Sequence, residues 1–519
     1  MVFITNFCMV KKRVMSEKDH LFALIQSMKK TEKAYFKKIK SSFGNEDSWL
    51  LKLFDLFIKH EEGEEEKIIK ELDNKASKDW YSIKKHTLYN ELLDVLVFSK
   101  SKNTDVLWQI NRLISHALYL KEKLLFDDAI KILQKTYKIA LENEFFLKQA
   151  EINQQMIEIL HQQKSMTDFA FVKTIEIIRL DNLRVAEQQV NAEKYFILSD
   201  TIFNKGEMLR LTSNELMKDE LKVLYKNELL SGEEKALSKT ALVCFHFIQY
   251  IKHCSYEMDL KKACYHLQQL IDIQETLKRF PLRARVVQMA NFVRMALEAK
   301  LLDNAFVMLE RMKKCYEAEK DNFVLITYLV HQNWYYVEIK DLNGYTKFHS
   351  TLEPEFQDSI EKMPFNKEIL DWKHAQFNYH FKTKKFKLAY KISNFLDSQY
   401  NLHSFKNGKL YEKLLKVICA HEMNEHELMQ GELRAIKYLL KSIADALPIE
   451  LYIFNTLEKL AKASREKDKD DVLKEFLKEY EKHHSPDKFS FMITGFGFID
   501  WVEAKLAKVD FLEYSFRSK

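Results

Sequence analysis

Apolar residues recur along this chain at the spacing of a helix face. Leu50, Leu53, Phe54, Phe57 and Ile58 follow the i, i+3, i+4, i+7, i+8 template, and Leu88, Leu92, Val95 and Leu96 repeat it. Further on, the pattern comes as pairs of runs joined at a small residue. Around Ala129 the apolar positions are Leu113, Ala117, Leu120, Phe126 and Leu133. Around Ala263 they are Phe247, Ile251, Cys254, Leu260, Leu267 and Leu270. A large residue followed three places later by a small one lets two antiparallel helices cross closely at the small side chain. The predicted elements are therefore helices, taken two at a time.

The junctions repeat. Lys123-Leu124-Leu125-Phe126-Asp127-Asp128-Ala129 is echoed by Lys300-Leu301-Leu302-Asp303-Asn304-Ala305, by Leu260-Lys261-Lys262-Ala263 and, loosely, by Tyr345-Thr346-Lys347-Phe348. Tyr119, Phe126 and Ala129 share one spacing with Tyr379, Phe386 and Ala389. Aligned on the small residue, the anchors fall at 129, 170 (Ala170), 263, 305, 348 and 389, with gaps of 41, 93, 42, 43 and 41. The long gap counts as two units. Self-similarity at a fixed period marks a stacked repeat array. The expected organisation is a flexible extension at 1–15, an N-terminal helical module at 16–104, a helix-pair array at 105–485 with a period of about 42, and a capping segment at 486–519. Capping boxes at Thr212…Glu215 and Ser231…Glu234 and the prolines Pro281, Pro354, Pro364 and Pro448 mark expected helix boundaries.

The large-then-small junction resembles the tetratricopeptide (TPR) pattern over roughly residues 105–445. That resemblance implies a solenoid of helix pairs. A HEAT-like array has a period nearer to this one, so both subclasses stay open. Leu21-x2-Leu24-Ile25-x-Ser27-Met28-Lys29-Lys30-Thr31-Glu32-Lys33-x-Tyr35-Phe36 and the ending Phe498-Ile499-Asp500-Trp501-Val502-Glu503-Ala504-Lys505 are similar to an uncharacterised Bacteroidota family of TPR-like helical-repeat proteins. This second resemblance implies a fold and no chemistry. The expected fold class is all-α, an α-α superhelix (TPR-like or HEAT-like) with an N-terminal module and a C-terminal cap.

Composition sharpens the picture. The chain has 9 Gly and 5 Pro, where average usage would give roughly 36 and 26. Sheets of short strands need turn glycines and are excluded. Disorder is excluded by 46% hydrophobic and 13% aromatic residues. A net charge of +6, carried mostly by Lys, is a weak field that disfavours a polyanion partner. Cys8, Cys244, Cys254, Cys264, Cys315 and Cys419 form no C-x-x-C pair and read as reduced core thiols of a cytoplasmic protein. No apolar run reaches the ~18 residues of a membrane span. Met1–Val10 is apolar with Lys11-Lys12-Arg13 after it, the reverse of a secretory signal. Ser16 and Asp19 give the first expected helix start.

No constellation supports catalysis, a metal or a cofactor. His421 and His426 are five apart, about 140° around a helix, whereas a zinc-protease pair shares one face. Cys244, His246, His253, Cys254, Cys264 and His266 are proper zinc ligands by type. Their spacing matches no finger, and Cys254 already has a core position. Asp468-Lys469-Asp470 with Glu479 mimics a calcium loop, but Leu473 stands where glycine is required. Walker A, G-x-G-x-x-G and G-x-S-x-G motifs are absent. The lysines around Tyr35 and Phe36, and around Phe381 and Phe386, read as amphipathic helices with lysine outside.

Arg279, Arg283, Arg285 and Arg294 are the most suggestive group. Pro281 suits a first helical turn, which puts Arg283 and Arg285 at a helix N-terminus, where an anion would relieve them. The plainer reading pairs them with Asp272 or Glu275. By analogy with TPR units, groove-facing positions are Lys252, Tyr256, Arg294, Asn333, Lys340, His374, Asn378 and Lys382. The expected function is a non-enzymatic scaffold holding a peptide or protein partner in a concave groove. The alternative is a TPR-containing transcriptional regulator whose N-terminal module contacts DNA. Ile68-Ile69-x2-Leu72 and Leu88-Tyr89-x2-Leu92 suggest a helix-turn-helix. Yet residues 16–100 hold 16 Lys, 16 acidic residues and no Arg, which disfavours nucleic acid.

Overall fold

A computed structural model of the chain describes residues 20–28, 30–41, 48–60, 64–72, 78–100, 105–163, 169–212, 215–361, 367–403, 406–441, 448–483 and 492–517. Among the described residues there is no strand, and helices pack in sequence order as an all-α helical-repeat superhelix. The chain divides into two compact units, Met1–Gln189 and Val190–Lys519. No described helix is long and apolar enough to cross a membrane.

The first unit holds α1 (His20–Ser27), α2 (Lys30–Ser41), α3 (Ser48–Lys59), α4 (Glu65–Leu72), α5 (Lys78–Lys100), α6 (Val106–Glu122), α7 (Phe126–Glu142), α8 (Phe146–Gln163) and the start of α9 (Phe169–Thr212). The apolar template selects the core as expected. In α3, Leu50, Leu53, Phe54 and Phe57 are buried, and only Ile58 turns outward. With Leu21, Ile25, Phe36, Leu88 and Leu92 they form one core, while α6 to α8 build another on Ala117, Ala129, Leu133 and Ile152. The start at Ser16, Lys29 and the acidic run at 61–63 lie outside the described residues.

The second unit continues through α10 (Glu215–Leu224), α11 (Lys239–Ile251), α12 (Leu260–Thr276), α13 (Leu282–Glu298), α14 (Leu302–Glu319), α15 (Asn322–Glu338), α16 (Leu342–Glu361), α17 (Lys367–Lys382), α18 (Phe386–His403), α19 (Lys406–Glu422), α20 (His426–Leu440), α21 (Pro448–Lys462), α22 (Glu466–His483), α23 (Phe498–Leu506) and α24 (Phe511–Ser515). From α11 to α22 the helices form hairpins. The first helix of a pair also packs on the first helix of the next: α13 on α15, α15 on α17, α19 on α21. First helices thus form an inner layer and second helices an outer one.

The hairpin turns share one geometry. Leu124, Lys300, Lys340, Lys384 and Asn424 are left-handed, with φ between 57° and 60°. The N–H of the next residue reaches back to the carbonyl five before it: Leu125 to Leu120 (2.9 Å), Leu301 to Ala296 (2.8 Å), Lys385 to His380 (2.8 Å), Glu425 to Ala420 (2.9 Å). This is the Schellman closure, which usually recruits glycine because a Cβ is strained there. Leu124 is 72% exposed and so gives up little burial on truncation. Leu124→Gly should therefore stabilise the first unit by about 0.5–1 kcal/mol, strain relief offset by chain entropy. A lower urea midpoint in that variant would contradict the assignment.

The anchors divide. Ala129, Ala263, Ala305 and Ala389 are fully buried at helix crossings, and Phe348 is 7% exposed. Ala170 is exposed in the first turn of α9, so no helix crossing is built on it. The 93-residue gap is not two hairpins. It contains the 44-residue α9, α10 and two short 3-10 turns, because no turn sequence interrupts 169–212. Ser231 starts no α-helix; Ser238 does, accepting from Ala241 N (3.1 Å). Thr212…Glu215 spans residues 213–214, outside the described set, as does Pro364. Pro281 and Pro448 begin helices, but α16 runs through Pro354. Proline lacks an N–H and costs one ladder bond, which neighbouring turns of a 20-residue helix sustain. Residues 468–479 lie inside α22 and form no loop.

Candidate partner-binding face

What decides this face is how much of the inner layer is covered. On one side, the second half of α9 lies over α11. Phe203 packs on Phe247 (6.0 Å between rings), and a Cβ at Gly206 would stand 3.3 Å from Ile251, so glycine permits the approach. Tyr195 donates to the Leu229 carbonyl at 2.6 Å, and Asn191 bonds Lys235 O and Leu237 N at 3.0 Å. These bonds tie the 228–237 connection to α9.

On the other side, residues 492–517 return to helices far earlier in the chain. Asn378 donates to the Gly495 carbonyl (2.9 Å) and Lys340 to the Ser515 carbonyl (3.0 Å). Phe496 packs on Phe381 (5.1 Å), Phe516 on Tyr345 (5.1 Å) and Phe498 on Phe476 (5.1 Å). The segment packs on α22, the last helix of the array, and continues back past the α19–α20, α17–α18 and α15–α16 turns.

Two first helices keep an open stripe, α13 and α21, the latter along Leu451, Asn455, Lys459 and Lys462. In α11 and α15 only the opening residues Lys239 and Asn322 are exposed, and the described side chains of α17 and α19 are buried or half-buried. Helix α13 keeps an open stripe of Arg283, Val287, Arg294 and Glu298, with Asn291 half-buried between them. These positions recur every three or four residues and so share one face.

The sequence-predicted residues separate accordingly. Arg283 sits on the stripe; its Nε and Nη2 donate to Asp321 (3.1 and 3.0 Å) and its guanidinium lies 5.4 Å from Phe323. Asp321 meanwhile caps α15 through Phe323 N and Val324 N. Arg279 is half-buried and donates to Thr240 (3.2 Å). Arg285 is half-buried, and its Nε has no hydrogen-bond partner. Arg294 is exposed, three turns from Arg283, and its charge offsets part of the upward push that burial gives the Tyr250 and Cys254 pKa values. Asp272 and Glu275 pair with Arg311 and with none of these four.

The other four serve the protein's own packing. Asn333 is 6% exposed and accepts from His349 (2.7 Å). His374 donates to Glu412 (2.6 Å), a fully buried carboxylate that also accepts from Ser393 (2.7 Å). Lys340 and Asn378 hold residues 492–517. Their spacing follows the repeat, but spacing alone does not say what covers a position. The aromatic run Phe496, Phe498, Trp501 was the available signal.

The Cys/His cluster forms a core. His246 and His266 meet Nδ1 to Nδ1 at 3.0 Å, and the His253 and His266 rings stack at 5.4 Å. Among the described residues no three His, Cys, Asp or Glu side chains are placed to hold a metal ion. His421 ends α19 and His426 begins α20, so they do not share a helix. Burial holds His246 and His253 below the ordinary imidazole range and, with the other two imidazoles adding repulsion, takes His266 down to about 4. In the unfolded chain these groups protonate near ~6.5, before the folded chain does. Their contribution to stability is therefore full above about pH 6.5 and is lost as the pH falls through the acid range. The urea midpoint should fall between about pH 7 and pH 5, and His266→Gln should flatten the fall. A midpoint unchanged over that window would contradict the neutral cluster.

No protein-family model matches the sequence, and no curated protein matches it.

Proposed function

We propose that the protein is a non-enzymatic helical-repeat scaffold that holds an acidic peptide or protein on the α13 stripe. The observation that carries this reading is the open strip itself: a first helix with Arg283, Val287 and Arg294 exposed, beside α11 and α15, which are buried or half-buried beyond their opening residues. Exposed apolar surface flanked by arginine is the composition of an interface centre.

Arg294 is the better probe, because it bonds only the Tyr250 hydroxyl and has no carboxylate at ion-pair distance among the described residues, whereas Arg283 already pairs with Asp321. A partner recovered with the full chain as bait should bind Arg294→Ala roughly ten- to a hundredfold more weakly, at unchanged melting temperature. An affinity indifferent to Arg294 would remove this site.

A further inference from the structure

A cavity of about 280 Å³ opens where the α17–α18 turn, the end of α19 and the α23–α24 turn meet. It lies off the α13 stripe, and the scaffold reading makes no use of it. Four lysines and two carboxylates line it. Both carboxylates are already engaged. Asp510 pairs with Lys384 (2.7 Å), and Glu422 accepts from Lys505 (2.7 Å) and from the Trp501 indole N–H (2.8 Å). Lys382 and Lys508 are left with no acidic partner at ion-pair distance among the described residues.

Lys382 is half-buried, its ammonium 5.3 Å from the Phe511 ring and 6.0 Å from the Phe516 ring. Burial pushes its pKa down to about 8, with Lys340 adding repulsion against the pull of Asp500. An uncompensated cation at a cavity wall is a place where an anion gains and water alone does not suffice. Lys508 is the left-handed residue of the α23–α24 turn, at φ 53°, and faces the same cavity. Phe386 and Phe511, both half-buried, supply planar walls, with the buried Phe381 and Trp501 behind them.

We propose that this cavity binds a small phosphomonoester carrying a planar apolar group. The lining holds a surplus of two positive charges, and a phosphomonoester carries about −1.5 to −2 at neutral pH, whereas a carboxylate carries one. Lysine reads phosphate as a point charge, with no need of the bidentate fork that arginine gives. The volume is near the small end of ligand sites, which start around ~300 Å³, and takes one ring and one phosphate. The aromatic walls take the ring, and Lys382 and Lys508 take the phosphate oxygens.

The test is calorimetric titration of the full chain with phenyl phosphate, beside inorganic phosphate and benzoate. Phenyl phosphate should saturate one site with a Kd of about a millimolar or tighter, and each of the other two should bind at least roughly tenfold more weakly. Lys508→Gly removes a charge where glycine suits the backbone, so it should not lower the melting temperature and should weaken phenyl phosphate roughly tenfold. Lys382→Met should weaken it as well. Absence of saturation, equal affinity for benzoate or inorganic phosphate, or unchanged binding in Lys508→Gly would each overturn the proposal. Should Lys382→Met fail to fold, Lys508→Gly decides alone.

Discussion

Trp501→Ala should lower the stability of the second unit by about 3–5 kcal/mol, as large-to-small changes of buried aromatics do. Trp501 is 1% exposed. Its ring packs on Phe498 at 5.3 Å and meets the edge of His421 at 6.0 Å. Its N–H is one of the donors that hold Glu422, so truncation removes both apolar area and a charge-assisted bond. Trp501→Phe keeps most of the volume and loses only the donor, and should cost about 1–2 kcal/mol. Helical circular dichroism against urea measures both. A loss below about 1 kcal/mol in the alanine variant would mean that residues 492–517 are not part of this core.

Lys416→Met should cost about 3–5 kcal/mol for a different reason. Lys416 is 3% exposed, with its ammonium 2.8 Å from Asp397 and 3.1 Å from Glu432. Lys413 shares the same carboxylates at 3.2 and 3.7 Å, and Tyr390 donates to Glu432 at 2.8 Å. Burial pushes the Asp397 carboxyl upward, but the two ammoniums together hold it below its ordinary value. Removing Lys416 leaves two inward carboxylates on one lysine. Adding Glu432→Met restores one-to-one pairing and should recover part of the loss, because a balanced ion pair carries little uncompensated charge. A double variant worse than the single one would contradict this reading of the cluster.

The fold was legible in sequence wherever a physical constraint acts locally. Ala129, Ala263, Ala305 and Ala389 are small because two helices cross on them, and a crossing leaves its mark within a few residues. Ala170 satisfies the same spacing but is exposed, and the first turn of α9 packs on α8 through Phe171 instead. The hairpin turns were half-legible. Their lengths repeat, but their left-handed residues are Leu124, Lys300, Lys340, Lys384 and Asn424, so the glycine that normally signals such a turn is missing. Helix α9 was hidden because a missing turn leaves no signal at all.

The candidate face was legible only as a register. Arg283 and Arg294 were recognisable as clustered cations, and they are the two of the four that are exposed. Asn333, Lys340, His374 and Asn378 have the same register, yet they are bonded to His349, Ser515, Glu412 and Gly495. The Asn378–Gly495 contact closes over 117 residues and Lys340–Ser515 over 175. Periodicity reports neighbours along a helix and has no reach over such distances. The paired and unpaired lysines of the α17–α24 cavity come together for the same long-range reason.

The partner side of the array can be read most directly by photo-crosslinking from the full chain in a native lysate. One photoreactive residue replaces Val287, 40% exposed on the first helix α13, and in a separate variant one replaces Val307, 59% exposed on the second helix α14. The scaffold account predicts a discrete adduct with another polypeptide from position 287, lost on Arg294→Ala, and none from position 307. Equal adducts from both positions, or an adduct from 307 alone, would contradict it.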